Sequence, residues 1–125
     1  MRLPAVRMYI VDDDASFGRS LKRLLNARGI SADYFGSAQS FLDSVPSSQP
    51  GYAVVDVHMP ECDGFELMDK MRDMRFTMRV IVITGQTRVD SRELALQKGA
   101  LGFLQKPFGL GSLMELIEQD RDGSA

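Results

Sequence analysis

Cysteine is all but missing from this chain. A single residue, Cys62, leaves no internal disulfide to form, and no charged leader with an apolar core opens the sequence, so a cytoplasmic location is expected. No apolar run approaches the ~20 residues that a membrane-spanning helix needs, and no membrane partner is expected. Positive charge is not in excess either: 15 Lys and Arg stand against 17 Asp and Glu, which argues against this stretch itself gripping nucleic acid or an anionic membrane. Histidine occurs once, as His58, so an imidazole-based metal site would lack a second ligand. No repeat, low-complexity stretch or internal linker interrupts the pattern.

What remains is a chain of 125 residues, 44% of them hydrophobic, which suits one domain with one packed core. Its eight methionines suit adaptable packing. Four short apolar runs read as buried strands: VRMYIV (6–11), YAVV (52–55), VIVI (80–83) and LGFL (101–104). A fifth, ISADYF (30–35), is mixed and suits a sheet edge. Helical periodicity links Phe17, Leu21, Leu24 and Leu25; Ala38, Phe41, Leu42 and Val45; Leu67, Met68, Met71 and Met74; and Leu110, Leu113, Met114 and Ile117. The segment 89–98 is only weakly amphipathic. Asp14, Ser37 and Asp63 occupy N-cap positions, and Gly29 and Gly99 follow helices where a left-handed cap favours glycine. Strand and helix alternate five times, which predicts a doubly wound α/β domain with a parallel sheet covered on both faces. In such sheets the binding crevice lies beyond the carboxyl ends of the strands, where strand order reverses.

The residues after each strand are therefore the informative ones. Asp12, Asp13 and Asp14 follow the first strand, Asp56 the third, Thr84 and Gly85 the fourth, and Gln105, Lys106 and Pro107 the fifth. Two unit charges ~4 Å apart repel by roughly 4 kcal/mol at an effective dielectric of ~20, so an acid cluster needs water or a cation. Carboxylates from two strand ends form an oxygen-rich pocket suited to Mg2+. A hydroxyl and an ammonium beside it suit the remaining oxygens of a phosphoryl group. Lys-Pro at a strand end invites a cis peptide that aims the lysine inward. Cys62, in a turn, has no evident role.

These stretches resemble a known signature. DDD (12–14), DVHMPECDG (56–64), VITG (82–85) and FLQKPF (103–108) are together similar to the receiver domains of bacterial two-component response regulators. YFGSAQSFL (34–42) and KGALGFLQKPF (98–108) are most similar to receivers of regulators with a LuxR-type DNA-binding output. The resemblance implies a flavodoxin-like (βα)5 fold with strand order 2-1-3-4-5. It implies that Asp56 accepts a phosphoryl group from a sensor histidine kinase, and that Mg2+ is held by Asp13, Asp56 and the His58 backbone carbonyl, with Asp12 acting through a water. Thr84 and Lys106 would bind phosphoryl oxygens, with Gly85 leaving room. Asp14 is assigned to capping. Thr84 and Phe103 would form the switch, Phe103 lacking the hydroxyl of a tyrosine. His58 and Gln86 are candidates for tuning the hydrolysis rate.

On this reading residues 1–118 are the receiver, and the polar tail 119–125 is a frayed end or the start of a linker to an output domain that controls transcription. Helix 89–98, strand 101–104 and helix 110–118 form the expected face for pairing with a second copy. The protein is expected to be a signalling phosphoacceptor that assists its own phosphorylation and dephosphorylation. Two alternatives stand beside it. One is a stand-alone receiver acting through protein contacts. The other is a small phosphatase of the haloacid dehalogenase kind, using Asp12-Asp13-Asp14-Ala15-Ser16 as its nucleophile loop; that reading leaves Asp56 without a task.

Overall fold

The computed structural model describes residues 7–85 and 89–123. Five strands alternate with five helices: β1 (Arg7–Val11), α1 (Ala15–Ala27), β2 (Ser31–Phe35), α2 (Ala38–Ser44), β3 (Tyr52–Asp56), α3 (Gly64–Asp73), β4 (Arg79–Thr84), α4 (Val89–Gln97), β5 (Gly102–Gln105) and α5 (Leu110–Gly123). All neighbouring strands are parallel, in the order β2-β1-β3-β4-β5. The flavodoxin-like doubly wound fold is thus the observed one, with ISADYF supplying an edge strand.

Successive strand side chains point to opposite faces, and both faces are covered, so the central strands are apolar almost throughout. Tyr9, Val11, Ala53, Val55, Val80 and Val82 pack on one side with residues from α2, α3 and α4. Met8, Ile10, Tyr52, Val54, Ile81 and Ile83 pack on the other with α1 and α5. On the first face Phe41 is completely buried and meets the rings of Tyr9, Phe35 and Phe76.

All three expected N-caps are formed: Asp14 accepts from the Phe17 amide, Ser37 from Ser40 and Asp63 from Glu66. Asp63 and Glu66 complete a reciprocal capping box. Gly29 and Gly99 have φ of 80° and 94°, the left-handed region that glycine enters without a Cβ penalty.

Three expectations need adjusting. Leu24 is 53% exposed, because α1 faces the core along Gly18, Leu21 and Leu25 and leaves Leu24 on its flank. Met74 caps α3 rather than lying within it, and is largely exposed. The tail is not frayed from residue 119 onward: α5 runs to Gly123, and Asp120 accepts a hydrogen bond from the Tyr52 hydroxyl at 2.8 Å and pairs with Arg79. A polar residue in a polar stretch carried no sign of these partners, which come from the starts of β3 and β4. The weak amphipathicity of α4 also has a structural counterpart, since among its described side chains the buried ones are the small Ser91 and Ala95 while Leu94 and Leu96 are exposed.

Candidate functional site

The carboxyl ends of β1, β3, β4 and β5 converge on one edge of the sheet. β1 continues for one residue beyond its last paired position, Asp12 donating its amide to the Phe35 carbonyl at 3.1 Å. The three consecutive acids then part company. Asp12 turns inward and is completely buried, Asp13 faces solvent, and Asp14 caps α1. The assignment of Asp14 to capping agrees with this geometry.

Asp56 ends β3 and is 5% exposed. Carboxylate oxygens of Asp12, Asp13 and Asp56 all lie within 4.8 Å of one another. The loop beyond Asp56 folds back so closely that a Cβ on Gly64 would stand 2.5 Å from the Asp56 carbonyl oxygen. Glycine at the first turn of α3 is what lets this helix start against the end of β3. The His58 amide points toward Asp56 Oδ1 at 3.4 Å, and the His58 residue itself is exposed.

Lys106 follows β5, with a cis peptide to Pro107 as the Lys-Pro pair suggested. Its Nζ lies 2.7 Å from Asp12 Oδ2 and 3.8 Å from Asp56 Oδ2. The approach to Asp12 lies off the line of a well-formed hydrogen bond, so the contact is chiefly one of charge. The same ammonium stands 4.2 Å from the centroid of the Phe17 ring, which packs edge-on against Phe108. Sequence reasoning counted Phe17 only as helix core and passed over Phe108. Nothing in their spacing signals that Phe17 seats the lysine and that Phe108 packs against Phe17.

Thr84 ends β4 and is almost fully buried. Phe103, opposite Val82 in the β4–β5 register, is half-buried against the α2–α3–α4 side of the core. Thr84 shares that sheet face, being two residues beyond Val82. Gln86 lies outside the described residues.

Two buried carboxylates facing one ammonium carry a net negative charge. Burial, and next the neighbouring charge of Asp12, push the Asp56 carboxyl up to about 7, while Lys106 pulls the other way. An oxygen donor set of this kind, open to solvent at Asp13, fits a hard divalent cation. This edge of the sheet thus combines three clustered carboxylates, one of them the buried Asp56, with an ammonium, and Thr84 ends the neighbouring strand β4.

A doubly wound parallel α/β domain with an acidic crevice at its switch point is the class of protein that fold and site define. The chain belongs to the response regulator receiver domain family, whose model matches residues 8–118. It is 38% identical over 111 residues to transcriptional regulatory protein FixJ of Bradyrhizobium diazoefficiens, covering 89% of this chain and 54% of that protein. It is 35% identical over 109 residues to response regulator MprA of Mycolicibacterium vanbaalenii, covering 87% and 47%. The chain therefore spans about half the length of these curated relatives. Among solved structures, that of FixJ-N superposes with a TM-score of 0.85 at 33% identity, covering 95% of this chain and 94% of that one. The similarity to receivers of LuxR-type regulators is supported by FixJ. No helix among the described residues is long and apolar enough to cross a membrane.

Proposed function

We propose that this domain receives a phosphoryl group on Asp56 from the phosphohistidine of a sensor kinase and uses the modification to control an output. The observation that carries this reading is the convergence of Asp12, Asp13 and Asp56 within 4.8 Å, with the Lys106 ammonium beside Asp12 and Asp56. An Asp56 carboxylate oxygen attacks phosphorus, the P–N bond to the kinase imidazole breaks as the P–O bond forms, and an acyl phosphate results. Lys106 offsets the charge of the transferred group, and the Thr84 hydroxyl binds one of its oxygens. Bound Mg2+ supplies the remaining neutralisation that lets a carboxylate approach a phosphoryl group. Asp13, Asp56 and the His58 carbonyl would hold it directly, and Asp12 through a water. The domain is in this sense a phosphoacceptor that assists its own modification rather than a conventional enzyme.

Movement of Thr84 toward the phosphoryl group and rotation of Phe103 into the vacated space carry the change to the α4–β5–α5 face, where Leu94 and Leu96 are exposed. That face pairs with a second copy, and the relatives' transcriptional roles favour an attached DNA-binding output. The His58 amide stands 3.4 Å from Asp56 Oδ1, and the residue lines a groove of about 480 Å³ between the β3–α3 loop and α4; from there it would influence hydrolysis.

The test is intact-mass spectrometry after incubation with acetyl phosphate and Mg2+. A phosphoryl adduct on the wild type and none on Asp56→Asn is the expected result. An adduct that persists in Asp56→Asn, or one that depends on Asp12 alone, overturns it.

A further inference from the structure

Asp12 has an unusual hydrogen-bond environment for a residue at the end of a strand. Its amide continues the ladder to Phe35, and its Oδ1 accepts from the Asp14 amide at 2.9 Å. Its carbonyl has no ladder partner, because in a parallel pairing the next donor would come from residue 37, and Ser37 has already left the strand to cap α2. A buried carbonyl needs a donor. The Tyr34 hydroxyl supplies it at 2.6 Å, reaching across from the edge strand β2.

That reach depends on α1. The Tyr34 ring lies over Gly18, where an added Cβ would be 2.2 Å from Cε1 and 2.4 Å from Cδ1. Gly18 sits inside a helix, where glycine is otherwise unfavourable, and its absent side chain is the space the ring fills. Tyr34 and Gly18 therefore act as a pair that delivers one hydroxyl to one carbonyl.

The peptide joined to that carbonyl leads into Asp13. We propose that Tyr34 is a positioning residue of the metal pocket: its hydroxyl fixes the Asp12–Asp13 peptide, and so the separation and direction of the carboxylates that take the divalent cation. Tyr34 is 22 residues from Asp12 along the chain, yet its hydroxyl is the donor that meets the backbone carbonyl at the end of β1. The proposal rests on the reading of Asp12, Asp13 and Asp56 as a Mg2+ site.

The test compares two matched hydroxyl deletions by calorimetric titration with MgCl2. Tyr34→Phe removes the bond to Asp12, whereas Tyr52→Phe removes the bond to Asp120 at the opposite end of the sheet. Tyr34→Phe is expected to weaken Mg2+ binding about fivefold, with Tyr52→Phe staying within about twofold of the wild type although both lower the melting temperature. Gly18→Ala, which displaces the ring but keeps the hydroxyl, is expected to weaken binding in the same direction and serves if Tyr34→Phe fails to fold. Wild-type affinity in the folded Tyr34→Phe or Gly18→Ala protein, or equal weakening in Tyr52→Phe, overturns the proposal and leaves the metal-site reading intact. A wild-type protein that binds no Mg2+ overturns both.

Discussion

Replacing Asp56 with asparagine should make the metal-free domain more stable, by an amount that depends on pH. Asp56 is nearly buried beside Asp12, and its ionisation is displaced from the ordinary 3.8 to about 7. At 1.36 kcal/mol per unit, full ionisation in the fold costs at most about 4 kcal/mol. Because the folded value is raised, the protonated carboxyl's advantage is complete below pH 3.8 and is lost as pH rises through about 7. Asparagine never ionises, so Asp56→Asn escapes that cost. Sharing of Lys106 with Asp12 trims the gain to about 2–4 kcal/mol at pH 8, and at pH 5 it falls to about 1.5 kcal/mol or less. For a domain of this length, about 2–4 kcal/mol corresponds to a rise of roughly 8–15 °C in melting temperature. The assay is thermal unfolding followed by circular dichroism at pH 5 and pH 8, in EDTA and in 10 mM Mg2+. Added Mg2+ should narrow the gap at pH 8, since the wild type keeps all three carboxylates for the cation and the variant does not. An Asp56→Asn protein that melts below the wild type at pH 8 in EDTA, or a gain equal at both pH values, would refute the electrostatic account of the pocket.

The other expectations are simpler to state. Lys106→Met strips the only cation seen against the Asp12–Asp56 pair among the described residues, and should destabilise the metal-free protein by about 2–4 kcal/mol at pH 8 and less at pH 5, as chemical denaturation will show. Phe41→Ala removes the largest fully buried side chain among the described residues and should cost about 3–5 kcal/mol in the same measurement. Asp63→Ala breaks the capping box at the start of α3 and should cost about 1–2 kcal/mol. Sedimentation with and without beryllofluoride and Mg2+ tests pairing through α4, β5 and α5: a shift toward dimer is expected, and an unchanged monomer counts against that face.

Periodicity exposed most of the fold. The even and odd residues of β1, β3 and β4 are apolar on both sides, which marks buried parallel strands, and the caps at Asp14, Ser37 and Asp63 are local devices whose partners lie three residues away. α4 was faint because its buried side is made of Ser91 and Ala95, residues that leave little hydrophobic signal. The extent of α5 was missed because its last turn is held by Tyr52 and Arg79, which are distant in sequence.

The same division runs through the site. Asp12, Asp13, Asp56, Thr84 and Lys106 could be named as candidates from the sequence because each ends or follows a strand, and parallel strands in one sheet deliver their carboxyl ends to one edge whatever the details of packing. The different fates of the three adjacent acids, the seat of Lys106 on Phe17, and the Tyr34 hydroxyl on the Asp12 carbonyl were decided only by tertiary structure. Each depends on side chains from separate elements meeting at a few ångströms, and a linear pattern records which residues an element carries but not which neighbour its side chains will touch.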